Sequence, residues 1–328
     1  MTHLKNQTLM IEIWIVGFEN LSAYKIPLFL FLLAIYIFTC FENLLIIFLV
    51  NKSPHLHSPM YFLISNFTFC QFFYTTNLVP RMLHDLLSEI GVISYLGCIV
   101  QLSMLGGVSI VESFLYVMMS YDRYFAVCQP LRYSALIHNR LCLYLVIGFW
   151  LISSVIEVTV YYFLINVEFC GPVRVNHFHC DFTTLMVFAC SDIAPLMFLI
   201  LVISSVLSAA PFVAAVVSYT FIIIAVLRIK SSKGRKKAFS TCSSHLLVLG
   251  IYFAMMFTLY VVPRNNKYLQ VYKGMSFIYL SVTPLINPII YTLRNKDFHK
   301  ALQATISEMK QYVIVKVQYK NKHLLHKK

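Results

Sequence analysis

Seven runs of mostly apolar residues, each close to the roughly 20 residues that cross a bilayer as a helix, decide what this chain can fold into. They run from Ile26 to Val50, Met60 to Val79, Leu96 to Tyr121, Leu141 to Leu164, Leu196 to Leu227, Ser244 to Val262 and Met275 to Leu293. A soluble domain carries about 25% charged residues; this chain carries 12%, with 59% hydrophobic. The apolar surplus must face lipid, where only structures that satisfy their own backbone hydrogen bonds survive. The expected fold is therefore an all-α membrane protein, a seven-transmembrane helix bundle. Phe298, Leu302 and Ile306 share one face at helical spacing, which adds a short amphipathic C-terminal helix along the membrane surface. The short loops leave no room for a large soluble unit, so residues 1–328 read as one domain.

A net charge of +13 raises nucleic acid as a partner, but the basic residues sit between apolar runs and in the tail rather than in one patch. With the N terminus outside, the inner loops and tail hold Lys52, Arg123, Arg132, Arg140, the cluster from Arg228 to Lys237 and the residues from Arg294 onward. The outer segments hold only Lys5, Lys25, Arg81, Arg174, Arg264, Lys267 and Lys273. The positive-inside rule then makes residues 1–25 extracellular, 26–293 the bundle and 294–328 a cytoplasmic tail, with membrane lipid as a partner and nucleic acid excluded. The sequon Asn6-Gln7-Thr8 falls in the outer segment, so Asn6 is the expected glycan acceptor. Asn20 is also outside but close to the membrane. The stretch Met10 to Phe18 contains Glu12 and no convincing cleavage site, so the first span is expected to serve as targeting signal.

The nine cysteines divide by topology. Cys40, Cys70, Cys128, Cys142 and Cys242 lie in spans or at the inner face, where free thiols are expected. Cys98, Cys170, Cys180 and Cys190 lie on the oxidising side, where four cysteines allow three pairings. His177 and His179 flank Cys180, but the spacing of the cysteines does not match a zinc hairpin; disulfides are the expected use. Glu42, Glu112 and Glu157 are intramembrane acids, which are expensive and face a polar interior. Each is either a neutral, hydrogen-bonded group or part of a polar switching network.

Five motifs occur at the right span ends and in the right order. Leu56-His57-Ser58-Pro59-Met60-Tyr61-Phe62 opens the second span, and Met119-Ser120-Tyr121-Asp122-Arg123-Tyr124 closes the third. Ser218-Tyr219 lies deep in the fifth, Lys237-Ala238-Phe239-Ser240-Thr241-Cys242-Ser243-Ser244-His245-Leu246 opens the sixth, and Pro284-Leu285-Ile286-Asn287-Pro288-Ile289-Ile290-Tyr291 closes the seventh. From Pro27 to Leu302 the chain resembles the vertebrate odorant receptors of the rhodopsin-like G-protein-coupled superfamily, and its Ser58 resembles the tetrapod-expanded branch. It departs from the pattern at Glu42, where Gly is usual before Asn43, and at Gln71, where the superfamily carries an aspartate that helps hold sodium.

The resemblance implies a receptor that binds a small odorant and activates a heterotrimeric G protein of the stimulatory olfactory type, raising cAMP, with no cofactor, from the plasma membrane of olfactory cilia. It implies disulfides Cys98–Cys180 and Cys170–Cys190. It places the ligand among Met104, Leu105, Val108 and Ser109 of the third span, Ile203, Ser204 and Leu207 of the fifth, Tyr252, Met255, Met256 and Leu259 of the sixth, and Tyr279 and Leu280 of the seventh. These are mostly apolar, with no acid at Leu105 where amine receptors place an aspartate, so neutral volatiles are expected. It assigns coupling to Asp122, Arg123, Tyr124, Tyr219, Asn287, Pro288 and Tyr291. Arg123 is a permanent charge that Asp122 can hold at rest, and Pro288 lacks a backbone donor and loosens its helix. A transporter would show internal repeats, and an enzyme a Gly-x-Ser-x-Gly, His-Glu-x-x-His or phosphate loop; the chain has none of these.

Overall fold

The computed structural model describes residues 12–17, 24–88, 91–261, 269–293 and 295–325, with side chains outside 237–241, 244, 256–261, 269, 293 and 317–325. The spans are α1 (Lys25–Lys52), α2 (Pro59–Leu87), α3 (Tyr95–Cys128), α5 (Asn139–Leu164), α7 (Ala194–Leu227), α8 (Ser232–Val261) and a seventh built of α9 (Leu269–Phe277), a π-helical turn (Ile278–Val282) and α10 (Thr283–Leu293). Short helices α4 (Pro130–Leu136) and α6 (Phe182–Met186) lie in connections, and α11 (Lys296–Leu325) closes the chain.

Among the described residues, α1, α3, α5, α7 and the stretch Gln270–Thr292 are each long and apolar enough to cross a membrane, and α8 contributes the shorter apolar stretch His245–Met255. Two helices read less apolar for visible reasons. The second buries Gln71, Thr75 and Asp85 on its inner face, and the sixth begins with basic turns at Lys233, Arg235 and Lys236. Apolar side chains cover the outside of the bundle: Val155 is 67% exposed, Val158 68% and Phe198 69%. So much exposed apolar surface suits lipid rather than water.

The third span is the central one and packs against the second, fourth, fifth and sixth. At 34 residues it is roughly 51 Å long, well beyond the hydrocarbon core, so it projects from the bilayer. Proline starts several helices where a missing N–H costs nothing, at Pro59 and Pro130. Ser94 caps the third span by accepting from the Gly97 amide at 3.1 Å. In the seventh span the π turn precedes Pro288, and the Thr292 hydroxyl takes up the Pro288 carbonyl at 2.9 Å.

Two features go beyond the sequence reading. One end of the bundle carries a three-stranded sheet, β1 (Glu12–Ile15), β2 (Gly91–Ser94) and β3 (Val173–Val175), with β1 in the middle. Strand β1 runs antiparallel to β2, Ile13 facing Ile93, and parallel to β3, Ile13 facing Val173. Ile13, Ile15, Val173 and Val175 point inward. On the opposite face Trp14 lies under the Arg174 guanidinium, 4.6 Å from the ring centre. Arg81 ties the second span to this sheet, donating to the Val92 carbonyl at 2.6 Å and to Asp85 at 2.9 Å. The C-terminal helix, expected to be short, runs for 30 residues, because no glycine or proline interrupts it. Its buried stripe is Phe298, Ala301 and Thr305, whereas Ile306 is 39% exposed and turned away.

Candidate functional site: a cavity at one end and an ion pair at the other

Close to the sheet, the third, fourth and fifth spans part to form a cavity of about 300 Å³, at the small end of the range for ligand sites. Leu105 and Ser109 line it from the third span, Ile203 and Leu207 from the fifth, and Ile156, Glu157 and Val160 from the fourth. Tyr74 enters from the second span, and His179, Cys180, Asp181 and Phe182 cover it from the loop after the fourth.

Sequence dictates how closely these helices approach. The pair Gly106-Gly107 removes two side chains from the face of the third span that meets the fourth. A Cβ on Gly106 would meet Glu157 Oε1 and lie 3.1 Å from its Cδ. The Ser153 hydroxyl donates to the Gly107 carbonyl at 2.8 Å and fixes that contact. On the other side the Ser113 hydroxyl donates to the Leu207 carbonyl at 2.6 Å and holds the fifth span. Ser109 and Ser204 bond back to their own helices, to the Leu105 carbonyl at 2.8 Å and the Ile200 carbonyl at 2.7 Å.

Of the residues the sequence named for the ligand, Leu105, Ser109, Ile203 and Leu207 line the cavity. Met104 does not; one residue of helical turn from Leu105 carries it to the outside, 46% exposed. Val108 and Leu280 are buried in the bundle core, and Tyr252 packs its ring on Tyr116 with centroids 4.6 Å apart. Tyr279 packs partly buried against the same core. Ser204 and Met255 are half-buried and are not among the cavity walls. The side chains of Met256 and Leu259 lie outside the described residues, as does Asn6. Sequence reasoning missed the fourth-span wall; the signals available were an acid in an apolar helix and the adjacent glycines.

The cover over the cavity is anchored covalently and by charge. Cys98 joins Cys180, with Cα atoms 5.5 Å apart, and Cys170 joins Cys190 at 5.8 Å. The Tyr95 hydroxyl donates to the Leu164 carbonyl beneath the sheet. Asp181 accepts from the Thr184 amide and hydroxyl, both at 2.8 Å. Burial pushes its pKa up, but His177, His179 and those two hydrogen bonds outweigh it and hold the group below the usual carboxylate value. Burial drives the pKa of His179 down, with Asp181 partly opposing. Lys273, at the start of the seventh span, donates to the Gly17 carbonyl and to Asn176 Oδ1, both at 2.9 Å. Gly17 itself rests on the His177–Phe178 backbone, leaving no room for a side chain.

At the opposite end, Arg123 donates to Asp122 Oδ2 through Nη2 at 2.6 Å and Nε at 3.0 Å. The second carboxylate oxygen accepts from the Tyr133 hydroxyl of α4 at 2.7 Å. Gln129 donates to the Tyr124 hydroxyl at 3.2 Å. Tyr219 of the fifth span pairs with His245 Nδ1 of the sixth at 2.7 Å and lies 3.3 Å from the Cys242 carbonyl. Asn287 is fully buried next to Pro288, and among the described residues neither its amide atoms nor the buried Tyr291 hydroxyl has a hydrogen-bond partner.

The sequence that builds this cavity and this ion pair is similar to those of known proteins along nearly its whole length. The olfactory receptor family model matches residues 32–309. Mouse (Mus musculus) olfactory receptor 5G25 is 38% identical across 93% of this chain and 96% of its own length. Human (Homo sapiens) olfactory receptors 11L1 and 1M1 are 38% and 35% identical, across 91% and 92% of this chain and 93% and 97% of their own lengths. Similarity at this level along nearly the whole chain means that the protein belongs to the olfactory receptor family, a family of G-protein-coupled receptors and not of enzymes.

Proposed function

We propose that this receptor takes a small, neutral volatile ligand into the cavity between the third, fourth and fifth spans. It then activates a stimulatory olfactory-type G protein at the Arg123 end and so raises cAMP. The observation that carries the reading is the cavity itself: about 300 Å³, walled mainly by Leu105, Ile110, Ile156, Val160, Ile203 and Leu207, and covered by the disulfide-tethered loop. Apolar walls with few polar groups suit a small apolar ligand. The ligand shifts the bundle only through its preference for one state of those walls.

The whole chain acts as one receptor domain. The sheet-bearing end and residues 1–25 face outward, the Arg123 end and residues 294–328 face the cytoplasm, and the setting is the plasma membrane of olfactory cilia. Basic residues support this orientation: Lys52, Arg132, Arg140, Arg228 and Lys233 all belong to the Arg123 end. The coupling set is Asp122, Arg123, Tyr124, Tyr219, Asn287, Pro288 and Tyr291. Arg123 leaves Asp122 to meet the G protein, and Tyr219 reaches Tyr291 as the bundle opens. A cAMP reporter screen of diverse odorants in cells co-expressing the olfactory G protein tests the proposal. Leu105→Trp, which fills the cavity, is expected to abolish the response at matched surface level. Undiminished agonist potency in that variant places the ligand elsewhere.

A further inference from the structure

We infer that Glu157 is the specificity-determining residue of the cavity and selects ligands bearing a hydroxyl group, alcohols or phenols, over ketones, ethers and hydrocarbons of the same skeleton. The inference rests on reading this cavity as the odorant site. Three observations carry it. The carboxyl of Glu157 forms part of the cavity wall, at the helix contact that Gly106 opens by lacking a side chain. Of the two wall serines, Ser109 gives its proton to the Leu105 carbonyl and Ser103 lies beside Glu157 itself, while Ser204 stands outside the walls and bonds to the Ile200 carbonyl. Asp181, the other acid in the wall, accepts from Thr184 twice and from Tyr272 at 3.5 Å. Glu157 is thus the wall carboxyl best placed to meet a ligand's polar group.

Among the described residues, the walls supply no lysine or arginine to pair with a carboxylate. A charged group among apolar neighbours without a counter-charge is costly. The least costly partner is neutral and answers both faces of a carboxyl, its acceptor oxygen and its neighbouring O–H. A hydroxyl donates and accepts at once. A ketone or ether only accepts, and a hydrocarbon does neither. A site built to hydrogen-bond a hydroxyl rejects the analogue that lacks it, because its own polar group is left unpaired. Gly106 sets the depth of the carboxyl: any side chain there pushes Glu157 out of the wall.

The test uses the full-length receptor in cells, with matched alcohols, ketones and amines of graded chain length and a cAMP readout at equal surface expression. Alcohols are expected to act at concentrations about tenfold below their ketones, the ratio that one well-made hydrogen bond supplies. Glu157→Leu is expected to erase that advantage. Glu157→Gln, whose amide also donates and accepts, is expected to keep it within about threefold. Gly106→Ala is expected to act like Glu157→Leu while leaving surface level measurable. Silence across the alcohol arm, or ketones matching alcohols in the unaltered receptor, overturns the inference. So does loss in Glu157→Gln equal to that in Glu157→Leu with amines as the strongest agonists, since charge would then be the recognised feature. Leu105→Trp separates the two levels. If it blocks activation while Glu157→Leu leaves the alcohol-to-ketone ratio unchanged, the cavity stands and the role of Glu157 falls. If neither variant alters potency, the cavity itself is not the odorant site.

Discussion

The Gln71 amide donates to Glu112 Oε1 at 2.6 Å across the contact between the second and third spans, with both residues buried. Gln71 stands where the superfamily resemblance calls for an aspartate. An amide can donate to Glu112, whereas a second carboxylate would meet it as a like charge. Gln71 Oε1 is itself buried without a partner among the described residues, as are Ser281 Oγ, Asn43 Oδ1 and both amide atoms of Asn287.

Gln71→Leu is therefore expected to cost about 1–3 kcal/mol by orphaning the Glu112 carboxyl. The double variant Gln71→Leu with Glu112→Leu is expected to recover part of that loss. Thermal unfolding of detergent-solubilised receptor, analysed as a double-mutant cycle, measures the coupling. Strict additivity of the two single changes refutes the pairing as a source of stability.

Tyr219 and His245 tie the fifth and sixth spans near Arg123, hydroxyl to Nδ1 at 2.7 Å, rings at 27° and centroids 5.9 Å apart. The contact belongs to the state in which Arg123 is held by Asp122. His245→Phe removes the tie but spares Tyr219, so basal cAMP is expected to rise severalfold, as the loss of one buried hydrogen bond of about 1 kcal/mol allows. Tyr219→Phe removes the same tie and also the hydroxyl proposed to reach Tyr291, so its maximal response is expected to fall. Identical behaviour of the two variants at matched surface level argues against a second role for Tyr219.

Much of the bundle was legible because the bilayer imposes length and apolarity on each span: Ile26 to Val50 became Lys25–Lys52, and Leu141 to Leu164 became Asn139–Leu164. The ends beyond the hydrocarbon were not legible. The sixth helix starts at Ser232, well before Ser244, because Lys233, Arg235 and Lys236 are good helix formers that read as loop on charge alone. The strand at Glu12–Ile15 pairs with partners far along the chain, at Gly91 and Val173, and four residues carry no signal of that. In the cavity, Leu105, Ser109, Ile203 and Leu207 were legible through resemblance. Glu157 was singled out as an acid, but its destination depended on the Gly106 approach, a contact between helices that no single helix displays.

The two disulfides differ in what they constrain. Cys98–Cys180 closes a loop of 82 residues and fastens the cover to the third span, whereas Cys170–Cys190 closes one of 20. Longer loops lose more unfolded-state freedom when closed. Cys98→Ser is expected to lower surface expression more than Cys170→Ser, with costs of about 2–5 kcal/mol and less, respectively. Surface labelling by flow cytometry reads this directly, and a larger defect in Cys170→Ser reverses the assignment of roles.

The proposed orientation has a chemical marker. Asn6 lies in the segment assigned to the outside, so Asn6→Gln is expected to remove the mass shift seen on glycosidase treatment. A glycan on Asn51 of the sequon Asn51-Lys52-Ser53, at the Arg123 end, inverts the topology.

Asp122 holds two partners at once, and that sets the order of effects expected at the proposed coupling face. It is fully buried, with Oδ2 taken by Arg123 at 2.6 Å and Oδ1 by the Tyr133 hydroxyl at 2.7 Å. Asp122→Asn weakens both contacts and removes the charge, so it is expected to raise basal cAMP most. Tyr133→Phe removes only one neutral donor, worth about 1 kcal/mol, and is expected to raise basal signal less, by up to about fivefold in the open-to-closed ratio. Arg123→Ala also frees Asp122, but it deletes the charge that the G protein is proposed to read. Its basal and stimulated cAMP are both expected to vanish while the receptor remains at the surface. A general folding defect moves all three variants downward together, so the opposite signs separate coupling from stability. Normal odorant-stimulated cAMP from Arg123→Ala at matched surface level removes Arg123 from the coupling step. Loss of signal in Asp122→Asn and Tyr133→Phe at full surface level shows instead that the clamp supports the active arrangement.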